Sequence, residues 1–309
     1  MDGPTLAEPA VLPARLHVEV TSACNQRCQF CAHPGMTRVK RHMPFDLFEK
    51  IAIEAGAHGT RLWLHFLGEP LLHPRIFEMV ALAKRAGARE VGFSTNAVLL
   101  TPDRFGELFS SGLDRLELSV DADDPDSYAR MRGCDDWSAV RANIRALLDA
   151  KRRRSTERPV VTLGFLDAGH ASRERARFLA EWSPLLGERD FLMAIPAISF
   201  GGQIAAPMPE RPREPCRWLF QAALVLSNGD VVTCATDFEG ERVLGNLAHQ
   251  SLAEVWRGET YRALRARHEA GAYDGLGLCD SCRDWVHSDG RGYVNFSRTD
   301  PPTDAPPHS

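Results

Sequence analysis

Several features are missing from this sequence, and each absence removes a class of function. No window holds 18 uncharged apolar residues, so no transmembrane helix is predicted. The N-terminal stretch MDGPTLAEPAVLPARL lacks a basic segment followed by an apolar run, which argues against a secretion signal and for a cytoplasmic, reducing location. Neither sign of charge dominates. Lys and Arg number 37 against 41 Asp and Glu, a net charge of −4, so neither nucleic acid nor an anionic membrane surface is expected as a partner. No Gly-x-Gly-x-x-Gly follows a strand candidate, so nothing points to a nicotinamide or flavin dinucleotide. There is no internal repeat. The remainder is a globular chain of 309 residues, 44% hydrophobic, with ample material for one large domain and a small appendix.

Cysteine is what the chain does have. Eight are present, split three, one and four: Cys24, Cys28 and Cys31; Cys134; and Cys216, Cys234, Cys279 and Cys282. In a reducing compartment such grouping points to metal ligands or catalysts rather than disulfides.

Short apolar runs bounded by turn residues recur at Leu16–Val20, Leu62–Phe66, Glu90–Ser94, Leu116–Val120, Val160–Leu166 and Phe191–Ile195, as buried parallel strands should. Amphipathic stretches lie between them: Pro44–Ala55, Pro74–Ala86, Thr101–Ser110, Trp137–Lys151 and Ser172–Leu186. Thr101 and Asp136 suit N-caps, and Gly87 and Gly112 suit stops. Six βα units of one hand make a curved parallel sheet with helices outside, whereas eight would close a full barrel. The fold class is therefore α/β, a partial (β/α)6 barrel over residues 15–200 after an extension at 1–14. Its active site is expected at the C-terminal ends of the strands. A Gly- and Pro-rich linker is predicted at 201–215. A small hairpin-plus-helix domain follows at 216–290, with a turn at Asn228-Gly229 and one helix over Ser251–Glu269. The tail 291–309 is expected to be disordered.

The first cysteines sit in TSACNQRCQFCAHP, directly after the first strand. A closed zinc site needs four ligands, so three thiolates leave a position open. A four-iron, four-sulfur cluster on three thiolates leaves one iron free to bind a small molecule. Incidental thiols or part of a zinc site remain the alternatives. Cys-x3-Cys-x2-Cys after a first strand, with Phe30 before the last cysteine and Asn25 after the first, resembles the radical S-adenosylmethionine (SAM) enzymes. The resemblance implies a [4Fe-4S] cluster on Cys24, Cys28 and Cys31 that binds SAM. An external donor such as flavodoxin or ferredoxin would reduce it, and SAM cleavage would give a 5′-deoxyadenosyl radical. Gly68, Glu69 and Pro70 resemble the family's GEP segment, which holds the SAM amine. Ser94, Asn96, Ser119 and Asp121 stand where the family places contacts to SAM's carboxylate and ribose. Strand ends also carry such residues simply to satisfy loop backbone.

The four late cysteines, on a hairpin and in a Cys-x2-Cys pair, can converge on one centre. With Gly245-Asn246 and Trp256 between them, they resemble the family's C-terminal twitch extension, the shortened form of the SPASM domain. That implies one auxiliary [4Fe-4S] cluster and two clusters in all; a structural zinc site is the alternative. Four ligands saturate a cluster, so its work would be electron transfer or structure. The pattern is similar to family dehydrogenases of antibiotic biosynthesis. It implies oxidation of a secondary alcohol on an aminocyclitol, aminoglycoside or sugar-like small molecule. A second reading is an epimerase with Cys134 as hydrogen donor, the alternative for that thiol being idle packing. A third is a peptide-modifying enzyme, against which stands the short stretch before the first strand. A non-enzymatic metal scaffold would not need Gly68–Pro70. Lys151–Arg154, KRRR, suits a solvated helix end. His33, His42, His65 and His73 lie near the two motifs and suit interior packing better than ligation, with His65 lining the barrel.

Overall fold

The computed structural model describes residues 10–167, 172–288 and 294–295. Six strands form a parallel array in chain order: β1 (Arg15–Val18), β2 (Arg61–Trp63), β3 (Val91–Thr95), β4 (Arg115–Ser119), β5 (Val160–Asp167) and β6 (Phe191–Pro196). All four residues of β1 and all five of β3 are buried, as in a parallel sheet covered on both faces, with the polar Arg15, His17, Ser94 and Thr95 buried among the apolar ones. Each crossover carries helix: α1 (Phe45–Ala57), α2 (Ile76–Arg85), α3 (Phe105–Ser110), α4 (Pro125–Arg132), α5 (Trp137–Arg153) and α6 (Ser172–Trp182). The main core lies between them, with Phe48, Ile51, Val80, Ile144 and Leu147 of the helices against Leu16, Leu62, Phe93 and Leu116 of the strands. This is the α/β partial barrel, and strand ends differ from expectation by one to three residues.

The C-terminal module departs further from expectation. It does not stand apart as a separate layer. After α7 (Trp218–Gln221), β7 (Ala222–Val225) pairs parallel with β1, register Arg15↔Ala222. The hairpin continues outward through β8 (Asp230–Val232) and β9 (Val243–Asn246), both antiparallel. The result is one ten-stranded sheet, β10-β6-β5-β4-β3-β2-β1-β7-β8-β9. The physical reason is the edge: without β7, β1 would present unpaired N–H and C=O groups. Glu19, fully buried just past β1, locks the junction. It pairs with Arg38 at 2.7 Å and accepts the Ser227 N–H at 3.0 Å.

The single helix expected over Ser251–Glu269 is two, α8 (Leu252–Trp256) and α9 (Glu259–Glu269). Ser251 and Glu254 form a capping box at the start, and Gly258, extended at φ −63° and ψ 163°, breaks the chain between the helices. Asp136 and Thr101 occupy N-cap positions, but neither side chain bonds the backbone there, and Thr101 precedes a 3-10 turn at Pro102–Arg104. Within the tail expected to be disordered, β10 (Val294–Asn295) pairs antiparallel with β6. Residues 296–309 lie outside the described residues. Among the described residues no helix is long and apolar enough to cross a membrane.

Candidate functional site

The loop after β1 holds Cys24, Cys28 and Cys31 as half-buried free thiols. Burial pushes Cys24 up to about 11 and Cys31 up to about 12, and Cys28 beside each adds to the rise. Gathering three thiolates here without compensating positive charge is therefore unfavourable. The chain holds the loop from α4. Arg27 and Gln29 donate backbone N–H groups to the carbonyls of Arg132 and Met131, at 3.2 and 3.0 Å. Gln26 Nε2 donates to Tyr128 Oη at 2.8 Å. Gly133 ends α4 in the left-handed region at φ 69°, where a Cβ would meet the Arg27 carbonyl at 2.6 Å.

Arg132 is the residue that sequence reasoning missed; the Arg-Gly pair before Cys134 was the available signal. It is buried and lies over the Phe30 ring at 5.4 Å. It donates to Cys28 Sγ at 3.6 Å and forms an ion pair with Asp121. Burial opposes its charge, but Asp121 and Cys28 outweigh that and hold it protonated.

The GEP segment lies against the same loop. Glu69 donates its N–H to the Ala23 carbonyl at 2.8 Å, and a Cβ on Gly68 would meet the Thr21 carbonyl at 2.0 Å. Pro70 opens a single 3-10 turn that Glu69 caps. The Glu69 carboxylate is buried and internally engaged. It accepts from Leu71 N (3.0 Å), Thr95 Oγ1 (2.6 Å) and Asn96 N (2.8 Å), while burial pushes its pKa up. Asn96 in turn donates Nδ2 to Asn25 Oδ1 at 2.7 Å and accepts Val98 N–H. Asp121, at φ 57°, accepts Leu166 N–H at 2.7 Å besides its pair with Arg132. The side chains expected to touch SAM thus mostly hold the loop, the GEP turn and the strand ends to one another. Ser94 is different: its buried Oγ has no partner among the described residues. Ser119 ends β4, half-buried.

Cys216, Cys234, Cys279 and Cys282 come together and line one cavity. Burial pushes Cys234 and Cys282 up to about 12, Cys279 to about 11 and Cys216 further, and other thiols of the set add to the rise for Cys216, Cys234, Cys279 and Cys282. Among the described residues no group of three or more His, Cys, Asp or Glu side chains is arranged to hold a single metal ion. One buried and three half-buried thiols around a cavity, whose thiolates would repel one another, fit a multi-iron cluster, whose positive charge would offset theirs.

A second cavity of ≈ 250 Å³ adjoins this one, bounded by Cys216, Cys234 and Cys282 and by His17 and His65 on the barrel side. Leu67 and Phe200 also line it, and they belong to the small apolar cluster against which Cys31 packs. Cys134 is not among its lining residues. That thiol packs on the main core beside Asp136, where burial first and then Asp136 push it up to about 11.

His33 and His73 are buried and His65 is half-buried, whereas His42 is exposed, contrary to the interior packing expected of it. His33 Nε2 contacts the Ser22 carbonyl at 3.0 Å, and His73 lies between the Met43 carbonyl and Arg75 N–H. His42 meets the His73 ring edge-on at 5.2 Å, and His65 accepts Ser94 N–H at 3.2 Å. KRRR is only partly a solvated end: Lys151 is buried in an ion pair with Asp190.

Comparison with known proteins agrees with this geometry. The Radical SAM superfamily model matches residues 18–170, and the SPASM iron–sulfur cluster-binding domain model matches residues 216–283. The structure of BtrN in complex with AdoMet and 2-DOIA superposes with a TM-score of 0.60 at 19% identity, over 88% of this chain and 93% of that one. Streptococcus suis SuiB bound to precursor peptide SuiA gives a TM-score of 0.70 at 13% identity, over 91% and 73%. At these identities the likeness is one of fold. In sequence, the tungsten-containing aldehyde ferredoxin oxidoreductase cofactor-modifying protein of Pyrococcus furiosus is 37% identical over 108 residues, 34% of this chain and 30% of that protein. A GTP 3′,8-cyclase of Chlorobaculum tepidum is 36% identical over 136 residues, 43% of this chain and 40% of that protein. The chain thus matches well under half the length of these curated relatives.

Proposed function

We propose that this chain, a radical SAM protein with a C-terminal SPASM domain, oxidises a secondary alcohol of a small hydroxylated metabolite to the ketone. One observation carries the reading. A single cavity is walled on one side by Cys216, Cys234 and Cys282, and on the other by the apolar cluster packed on Cys31. A substrate there would lie between an open three-thiol centre and a saturated four-thiol centre. When bound, the two clusters and SAM supply a hydrogen-abstracting carbon radical and a one-electron acceptor. The overall balance is alcohol plus the SAM sulfonium giving ketone, methionine, 5′-deoxyadenosine and one proton. An external flavodoxin- or ferredoxin-type donor supplies the priming electron.

The chain's own residues divide the remaining work. Cys24, Cys28 and Cys31 hold the first cluster, and Arg132 holds Cys28 and the loop. Glu69 and Asn96 fix the GEP turn and the end of β3, so that backbone groups of Gly68–Pro70 and the Ser94 hydroxyl can serve SAM. Leu67, Phe200 and Trp285 exclude water from the cavity. The lining also narrows the substrate class. Among the described residues it contains no Lys, Arg or Glu, and its one carboxylate, Asp284, already accepts from Ser199 N, Ser199 Oγ and Gly201 N. Aromatic and imidazole walls suit a neutral, hydroxyl-bearing ring face. Within the aminocyclitol, aminoglycoside and sugar-like class, the reacting portion therefore presents hydroxyls rather than ammonium groups to this cavity.

Anaerobic incubation with SAM, a reductant and a panel of cyclitol and sugar alcohols tests the reading by product mass. Loss of two hydrogens is the expected result. Unchanged mass in ordinary water, with carbon-bound deuterium when run in heavy water, would mean epimerisation and overturn it.

A further inference from the structure

The C-terminal cavity is lined by more than thiols. Arg213, Trp218 and His268 also line it. Each has a buried nitrogen with no partner among the described residues: Arg213 Nε, Trp218 Nε1 and His268 Nε2. All three can be identified as donors. Arg Nε and indole Nε1 carry hydrogen at any ordinary pH. The His268 tautomer follows from its contact: Cys216 donates its backbone N–H to Nδ1 at 3.3 Å, so Nδ1 presents its lone pair and the neutral ring carries its hydrogen on Nε2. The ring is 1% exposed.

The scaffold fixes these donors. Arg213 gives one N–H from each terminal nitrogen to the carbonyls of Cys279 and Cys282, the first at 2.9 Å, and Nε is its nitrogen without an acceptor among the described residues. Trp218 opens α7 two residues after Cys216, and His268 lies in the last turn of α9. A buried donor left without an acceptor is destabilising. Three such donors around one cavity, beside four thiols, describe a site complementary to an anion rich in weak sulfur acceptors.

We propose that Arg213, Trp218 and His268 donate N–H···S hydrogen bonds to the iron–sulfur cluster on Cys216, Cys234, Cys279 and Cys282, raising its reduction potential so that it accepts an electron. This rests on the iron–sulfur reading of that centre. The direction follows from charge: reduction adds negative charge to the cluster, and N–H dipoles and a guanidinium stabilise the reduced form more than the oxidised one. These are positioning residues and do not ligate iron.

The test uses the reconstituted full chain, with iron and sulfide content and the midpoint of each cluster followed by EPR-monitored redox titration. Trp218→Phe keeps an aromatic ring and removes one N–H. His268→Leu removes another, and His268→Gln restores an N–H donor. Trp218→Phe and His268→Leu should each lower the midpoint of the auxiliary cluster, and the double variant should lower it further. His268→Gln should recover part of the shift, while the cluster on Cys24, Cys28 and Cys31 keeps its midpoint. An unmoved auxiliary midpoint at full iron content in Trp218→Phe and His268→Leu overturns the proposal alone. Zinc at the site in the wild-type protein, or iron for one cluster only, overturns the underlying reading and the proposal with it.

Discussion

The two cysteine centres are built in opposite ways. The first takes its three thiols from eight consecutive residues, one loop pinned at both flanks by α4 and the GEP turn. The second takes four thiols from positions 216 to 282, brought together by a hairpin, a short helix and an arginine that clamps the Cys-x2-Cys carbonyls. The first is local and incomplete, with a cation beside one thiol. The second is assembled over a long stretch, complete in thiols, and ringed by neutral and cationic N–H donors. An open coordination site needs room for a ligand, so a loop at the strand ends suffices. A saturated site has only to be enclosed and poised, and that takes tertiary structure.

Removing the first centre should have the largest effect. Cys24→Ala, Cys28→Ala and Cys31→Ala together should abolish SAM cleavage and leave about four of some eight irons per chain. Iron analysis and 5′-deoxyadenosine formation check both parts. Residual cleavage would mean that the two centres are not divided as described.

Uncoupling the centres comes next. Arg38→Met leaves Glu19 buried with only the Ser227 N–H and should cost about 3–5 kcal/mol in denaturant unfolding. If stability is unchanged, the junction between β1 and the hairpin is not held there.

Glu69→Ala tests how the first centre is propped. Three donors lose their acceptor, at roughly 1–3 kcal/mol each, partly offset because a desolvated carboxylate is removed. Reduced stability and weaker SAM binding with full iron content are expected. Weaker SAM binding at unchanged stability would restore a direct contact between the carboxylate and the SAM amine.

The smallest effect belongs to the thiol outside both centres. The folded chain holds Cys134 near 11, above its ordinary 9.0, so folding favours the protonated form. That contribution is complete below pH 9 and is lost as pH rises toward 11, when the unfolded chain gives up its proton first. Cys134→Ala should flatten this part of the stability profile slightly and retain most turnover. Loss of product with SAM cleavage intact would favour the epimerase instead.

Legibility differed between the centres for the same reason as their construction. The loop motif, the strand order and the Asn228-Gly229 turn are local patterns, and each appears in the structure where periodicity and spacing put it. The break at Gly258 was missed because the apolar pattern runs through it. The burial of Lys151 was missed because its partner, Asp190, lies 39 residues away. Arg132 has only the Arg-Gly pair before Cys134 to mark it, and Arg213 and His268 carry no local signature at all.

Alone, the sequence determined the α/β class, the two groups of cysteines and the number of thiols in each, because hydrophobic period and cysteine spacing are properties of neighbouring residues. The tertiary structure decided that the hairpin extends the barrel sheet along β1. It turned the Glu69, Asn96 and Asp121 side chains inward as braces, and it closed the four late thiols around a cavity ringed with unpartnered N–H groups. These outcomes depend on which buried donors meet an acceptor across tens or hundreds of residues and which are left without one, and that is settled only when the core is desolvated.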